Sequence, residues 1–251
     1  MNILKTTYNT TKELLLQVVP PQSTRTYKSI THQELIDLTL NAIDNAGFKL
    51  DKEMYSVARD GDVATGRFSI SNVADKEMQL QIGWQNSYDK SVSLKFAIGT
   101  RIIVCENGCV SGNYGSFKRK HAGEVQTFAP QAIREYIANA GEAFINLQKE
   151  RDSMKQIMLT NRTKAELIGR MIIDDKIISA TQLSIIAKEL SAPTHNYNSP
   201  DSLWELYNYT TFAMKGIHPS SWIDSHVDVH KFFVSESKAP ATRSIVYEEF
   251  A

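Results

Sequence analysis

A chain of 251 residues is long enough for one large domain or two modest ones, and 42% apolar with 22% charged residues is the make-up of a folded protein. Its 28 cations and 28 acids cancel, so bulk charge announces no nucleic-acid partner and only a local patch could argue for one. No apolar run approaches the roughly 18 residues of a membrane helix, the first residues lack a signal-peptide layout, and two cysteines make no disulfide framework; the expected setting is a reduced cytoplasm.

The first organised element follows the Pro20-Pro21 break. Thr31-His-Gln-Glu34 has the form of a capping box, Leu35, Leu38 and Ile43 give an apolar face, and Ala46-Gly47-Phe48 supplies a glycine stop. From Tyr55 to Val104 the period becomes two. Met78, Leu80, Ile82 and Trp84 fall on even positions, as do Val92, Leu94, Phe96 and Ile98, which leaves Ser93 and Lys95 on the other face. Asp60-Gly61-Asp62 and the turn-rich stretch from Gln85 to Ser91 mark the tips of antiparallel hairpins. Arg101–Val104 reads as a further strand.

Pro130 opens a helix whose apolar stripe runs through Ile133, Ile137, Ala140, Phe144, Leu147, Met154 and Met158, with Arg151 interrupting it. Unbroken to Leu159 it would span roughly 45 Å, with Gly141 as the place for a kink. Thr163-Lys-Ala-Glu166 has the form of a second capping box, Ser179–Leu190 reads as a helix, Ser199-Pro-Asp201 opens another that ends at Gly216, and Ser220–Val234 gives a last one. The fold class expected is α+β: a helix, an antiparallel sheet and a long helix, followed by an all-helical part. The organisation is an N-terminal extension over 1–28, an α+β core over 29–159, a helical part over 160–236 and a loose tail over 237–251.

Between strand and long helix lies Arg101-Ile-Ile-Val-Cys-Glu-Asn-Gly-Cys-Val-Ser-Gly-Asn-Tyr-Gly-Ser-Phe-Lys-Arg-Lys-His121, read as a glycine-punctuated basic loop. It matches no phosphate-loop or dinucleotide fingerprint. From Lys95 to His121 there are five cations and one acid, a net of +4, whereas Asn196–His230 carries a net of −3. Lys95, Arg101, Lys118, Arg119, Lys120 and His121 are thus candidates for phosphate contacts, with Tyr114 and Phe117 for stacking on unpaired bases. The plain alternative is a solvated loop, or one that pairs with the acidic helices. Cys105, Cys109 and His121 lack the spacing and the fourth ligand of a zinc finger. Cys105 with His121 as a thiolate–imidazole pair lacks hydrolase flanks. His226 and His230 lack the glutamate of zinc proteases and read as a surface or capping pair. Asp60, Asp62 and Asp89 sit in turns, where aspartate is common for backbone reasons. No metal, cofactor or catalytic residue is assigned.

Asn86-Ser-Tyr-Asp89, Arg101-Ile-Ile-Val-Cys-Glu-Asn-Gly108 and Lys118-Arg-Lys-His121, with Tyr27-Lys28 and Trp204-Glu-Leu-Tyr-Asn208, resemble the pattern of a phage- and plasmid-borne family of unknown function over about residues 24–215. That resemblance implies a mobile-element origin in a bacterial cytoplasm and no catalytic role. The order helix, antiparallel sheet, long helix is more loosely similar to single-strand annealing proteins, which form rings or filaments around a basic groove. Two readings follow. One is a non-enzymatic, homo-oligomeric binder of single-stranded nucleic acid, used in annealing or recombination. The other is an accessory protein that binds a host protein or a small phosphorylated ligand.

Overall fold

The computed structural model describes residues 8–238, with side chains described outside 109–113. It is an α+β fold built on one six-stranded antiparallel meander in the order β1-β2-β3-β4-β5-β6. The strands are β1 (Asn9–Thr10), β2 (Leu50–Ala58), β3 (Val63–Ala74), β4 (Met78–Ser87), β5 (Leu94–Ile102) and β6 (Gly108–Arg119). The even residues of β4 and β5 line the main core beside Phe68 and Ile70, as the period-two pattern requires. That face is covered by α2 (His32–Asn45), α3 (Val125–Ala138) and α4 (Ala140–Lys155). The short helix α1 (Lys12–Leu15) adds buried Leu15, so the N-terminal extension contributes both a strand and a core residue. The opposite face carries Arg67, Ser69, Gln79, Gln81, Gln85 and Lys95.

The helical part holds α5 (Asn161–Gly169), α6 (Ala180–Ser191), α7 (Leu203–Ala213) and α8 (Trp222–Lys238). Leu206 and Phe233 share one apolar cluster with Leu35, Phe68, Phe96 and Ile133. Helix α8 lies against β6, and its first residue, Trp222, rests on the sheet's polar face. A Cβ on Gly83 would stand 3.0 Å from the Trp222 ring, and one on Gly108 would meet both the Gln81 amide and that ring. Only glycine allows this close approach.

Capping boxes form at Thr31 with Glu34 and at Ser179 with Gln182. At α5 the expectation is corrected. Thr160, three residues earlier than Thr163, accepts from the Thr163 amide and caps the helix, while Glu166 pairs with Arg162 one turn back. The long helix is corrected too. Its first segment begins at Val125, with Pro130 inside it, and the chain breaks at Asn139 (φ −95°, ψ 4°), whose side chain donates to the Glu135 carbonyl at 2.9 Å. Arg151, the interruption in the apolar stripe, reaches Asp75 and Asp152. At the C-terminus α8 runs through to Lys238, and the rest of the expected loose tail lies outside the described residues.

The glycine-punctuated segment is the largest difference. It is strand β6, paired with β5 from Leu94↔Arg119 to Arg101↔Gly108. Between Ala97↔Ser116 and Ile98↔Ser111 the register jumps, so residues 112–115 bulge out of the ladder. Gly115 sits at φ +114°, which its lack of a Cβ permits. Without β6, the buried strand β5 would leave a row of backbone groups unpaired.

Candidate functional site

The turn after β4 is built by Asn86-Ser-Tyr-Asp89. The Asn86 amide donates to the Ile30 carbonyl at 2.9 Å and lies 3.1 Å from His32 Nδ1. Ser87 Oγ donates to the Val92 carbonyl and accepts from the Val92 amide, closing the turn. The Tyr88 hydroxyl accepts from the His32 amide, and its ring stacks on the His32 imidazole with centroids 3.9 Å apart. Asp89 accepts from the Ser91 amide at 2.9 Å and from Arg59 at 2.8 Å. Partial burial opposes its ionisation, yet these hydrogen bonds hold its pKa below the usual range. Burial pushes the His32 pKa down to about 4, against the Gly61 carbonyl that favours its charged form.

Two distant segments converge on this turn. The buried Tyr27 hydroxyl donates to the Tyr88 carbonyl at 3.0 Å and lies 3.3 Å from the Ser87 carbonyl. The Lys28 amide donates to the His121 carbonyl at 2.9 Å, and the Tyr27 and His121 rings lie 5.7 Å apart. Together they wall a pocket of about 360 Å3. Lys90 and Lys120, both exposed, supply its cations, and Thr26, Ser91 and Ser93 its hydroxyls. Lys90 holds a left-handed backbone (φ 65°), with Nζ 4.6 Å over the Tyr27 ring. His121 is 6% exposed, and neither ring nitrogen makes a hydrogen bond of normal geometry. Burial lowers its pKa, only partly offset by the Val92 backbone. At neutral pH the ring is uncharged and offers one donor and one acceptor.

The residues expected to bind phosphates as one loop are separated by strand geometry. Successive side chains of β6 point to opposite faces. Lys118, cross-strand from Lys95, faces Asp224, which lies 2.7 Å from Lys95 Nζ and 3.7 Å from Lys118 Nζ. Lys95 is 4% exposed and internal. Arg119 goes to the other face and sets its guanidinium 4.1 Å over the Phe128 ring. Only Lys120 and His121 reach the pocket. Arg101 pairs with Glu106 at 2.5 Å and lies 3.6 Å from Asp51. Phe117, half-buried, stacks on Phe96 at the edge of the main core, and Tyr114, in the bulge, donates to Glu150 at 2.6 Å. Tyr27, Lys90, Ser91 and Ser93 were not candidates from sequence, although Tyr27-Lys28 and Asn86–Asp89 were among the residues that carried the family resemblance.

The other motif pieces meet at the opposite end of the sheet. Asn107, in the β5–β6 turn, donates to the Asn208 carbonyl at 3.2 Å and to Thr211 Oγ at 3.3 Å. The Asn208 side chain in turn donates to the Trp204 carbonyl at 2.8 Å. Cys105 is buried there, its thiol pKa raised by burial. It stands at the far end of β6 from His121, so the two do not form a pair. His226 and His230 are buried, not on the surface. His226 sits beneath Trp222, and His230 joins Tyr207 and Glu150 at 3.1 Å each.

A family described as a domain of unknown function, DUF932, matches residues 22–222. No curated protein and no solved structure matches the chain.

Proposed function

The chain belongs to the DUF932 family, whose description carries no activity, and we propose from the pocket's chemistry that it binds single-stranded nucleic acid without catalysis. The observation that carries the reading is one concavity with two exposed lysines, three hydroxyls and a buried imidazole whose ring nitrogens make no hydrogen bond of normal geometry. These are groups that take phosphate oxygens. Lys118 and Arg119 flank the site and add to its positive field. Lys95 and Arg101 are engaged in internal ion pairs and leave the proposed contact set.

Fluorescence anisotropy with labelled oligothymidylate tests the reading. Binding should be present at low salt and weaken as salt rises, because phosphate neutralisation releases counterions. Replacing Lys90 and Lys120 together by alanine should abolish it while melting stays unchanged, and absence of binding by the parent protein at low salt would refute the proposal. Assembly into a homo-oligomer and a role in annealing belong to the same proposal, and the mass in solution tests the first of these. A mobile-element origin is likewise proposed, and gene neighbourhoods test it. The pocket's small volume also favours a second reading, a small phosphorylated ligand bound without nucleic acid.

A further inference from the structure

We infer that the pocket takes a phosphomonoester, carried by the phosphorylated end of a single strand or by a free mononucleotide, and not the internal diesters of a continuous strand. The inference rests on the pocket being the seat proposed above.

Size and charge layout both distinguish an end from a track. A cavity of about 360 Å3 lies at the small end of ligand pockets and suits one nucleotide. Along β6 the cations beside it do not continue as a line. Lys118 turns to Asp224 on one face of the sheet, Arg119 turns to Phe128 on the other, and Lys120 alone joins Lys90. Successive diesters would therefore find no successive partners. A monoester carries about −1.5 to −2 charge at neutral pH where a diester carries one, so two lysines around one cavity favour the monoester.

His121 supplies a further point. It is buried, lines the pocket, and apart from the nearby Val92 backbone neither ring nitrogen makes a hydrogen bond of normal geometry. A buried polar group left unpaired is costly, and a ligand oxygen at the ring would relieve that cost. The hydroxyls of Thr26 and Ser93 complete a donor set for a terminal phosphate's three free oxygens.

Anisotropy with the full chain and three oligothymidylates of one length, ending in 5′-phosphate, 3′-phosphate or hydroxyls only, tests the inference. One phosphorylated end should bind about tenfold tighter than the hydroxyl form, and adenosine 5′-monophosphate should displace it. The log–log salt slope should be about −0.7, the value for one phosphate contact on a single strand. Lys90→Ala with Lys120→Ala should remove the preference, and Lys90→Arg with Lys120→Arg should restore it; melting curves verify that both variants fold. Equal affinity for all three oligonucleotides overturns the inference and leaves nucleic-acid binding standing. Displaceable binding of the mononucleotide without any oligonucleotide binding keeps the monoester pocket and refutes the nucleic-acid reading. Binding of neither overturns both.

Discussion

The two ends of the sheet are built from the same materials to opposite effect. At the β5–β6 turn, Asn107 and Cys105 are buried and the chain is fastened to α7 through the Asn208 carbonyl and Thr211. At the β4–β5 turn, Asn86, Tyr27 and His32 form a comparable buried polar layer. A pocket rimmed by exposed lysines lies outside that layer. Both layers hold polar atoms without partners, Asn107 Oδ1 and Asn208 Oδ1 at one end and Asn86 Oδ1 and the His121 ring at the other, but only at the pocket end does such a group line a cavity that a ligand can enter. The difference separates two sets of motif residues that the sequence alone presents together.

The largest expected effect is acid sensitivity, to which His32 contributes at the pocket end and His226, its pKa pushed down to about 3 by burial, contributes beneath Trp222. His32 is held neutral, its folded pKa about 4 against 6.5 unperturbed. With the folded value depressed, its contribution is fully present above 6.5 and is lost as pH falls through about 4, amounting to about 3 kcal/mol. His121 shifts in the same direction. Denaturant melts at about pH 7 and pH 4 should show this loss, and hydrogen exchange should rise in residues 86–93 before it rises in 203–213. Simultaneous exchange of both segments would erase the distinction between the two ends.

A smaller effect tests the closed end. Asn107→Ala removes two side-chain hydrogen bonds to α7 in a buried site and should cost about 1–3 kcal/mol in chemical denaturation. Ligand affinity measured on the folded variant should not change, because the pocket is a full strand length away. A loss of affinity equal to that of the lysine variants would show the two ends to be coupled.

Much of this fold is legible in sequence where one physical rule acts locally. Leu80, Ile82 and Trp84 alternate because one sheet face is the core, and Thr31 with Glu34 caps a helix through its own backbone. The misread elements are those decided by distant partners. Strand β6 lacks apolar alternation, carries a four-residue bulge between glycines, and is a strand because β5 needs a partner. The break at Asn139 is hidden because Ile137, Ala140 and Phe144 continue the apolar stripe across it. The pocket brings Tyr27, Lys90 and Lys120 together from three segments. No spacing of charges along the chain marks it.

The smallest effect separates a strand from a loop most sharply. Lys118 and Lys120 have the same charge, both are exposed, and they stand two positions apart. As parts of a flexible loop they would be interchangeable, and each alanine substitution would weaken binding alike. In the structure the ladder with β5 ends at Arg119. Lys118 is thereby committed to the Asp224 side, while Lys120, one residue past the last pair, turns into the pocket. Lys120→Ala should therefore weaken phosphate-ligand binding about tenfold, as loss of a direct charge contact does. Lys118→Ala should act only through the long-range field, about twofold at low salt and not at all once the Debye length falls below about 8 Å. Equal losses at both salts would return the segment to a loop and remove the ground for an end-reading pocket.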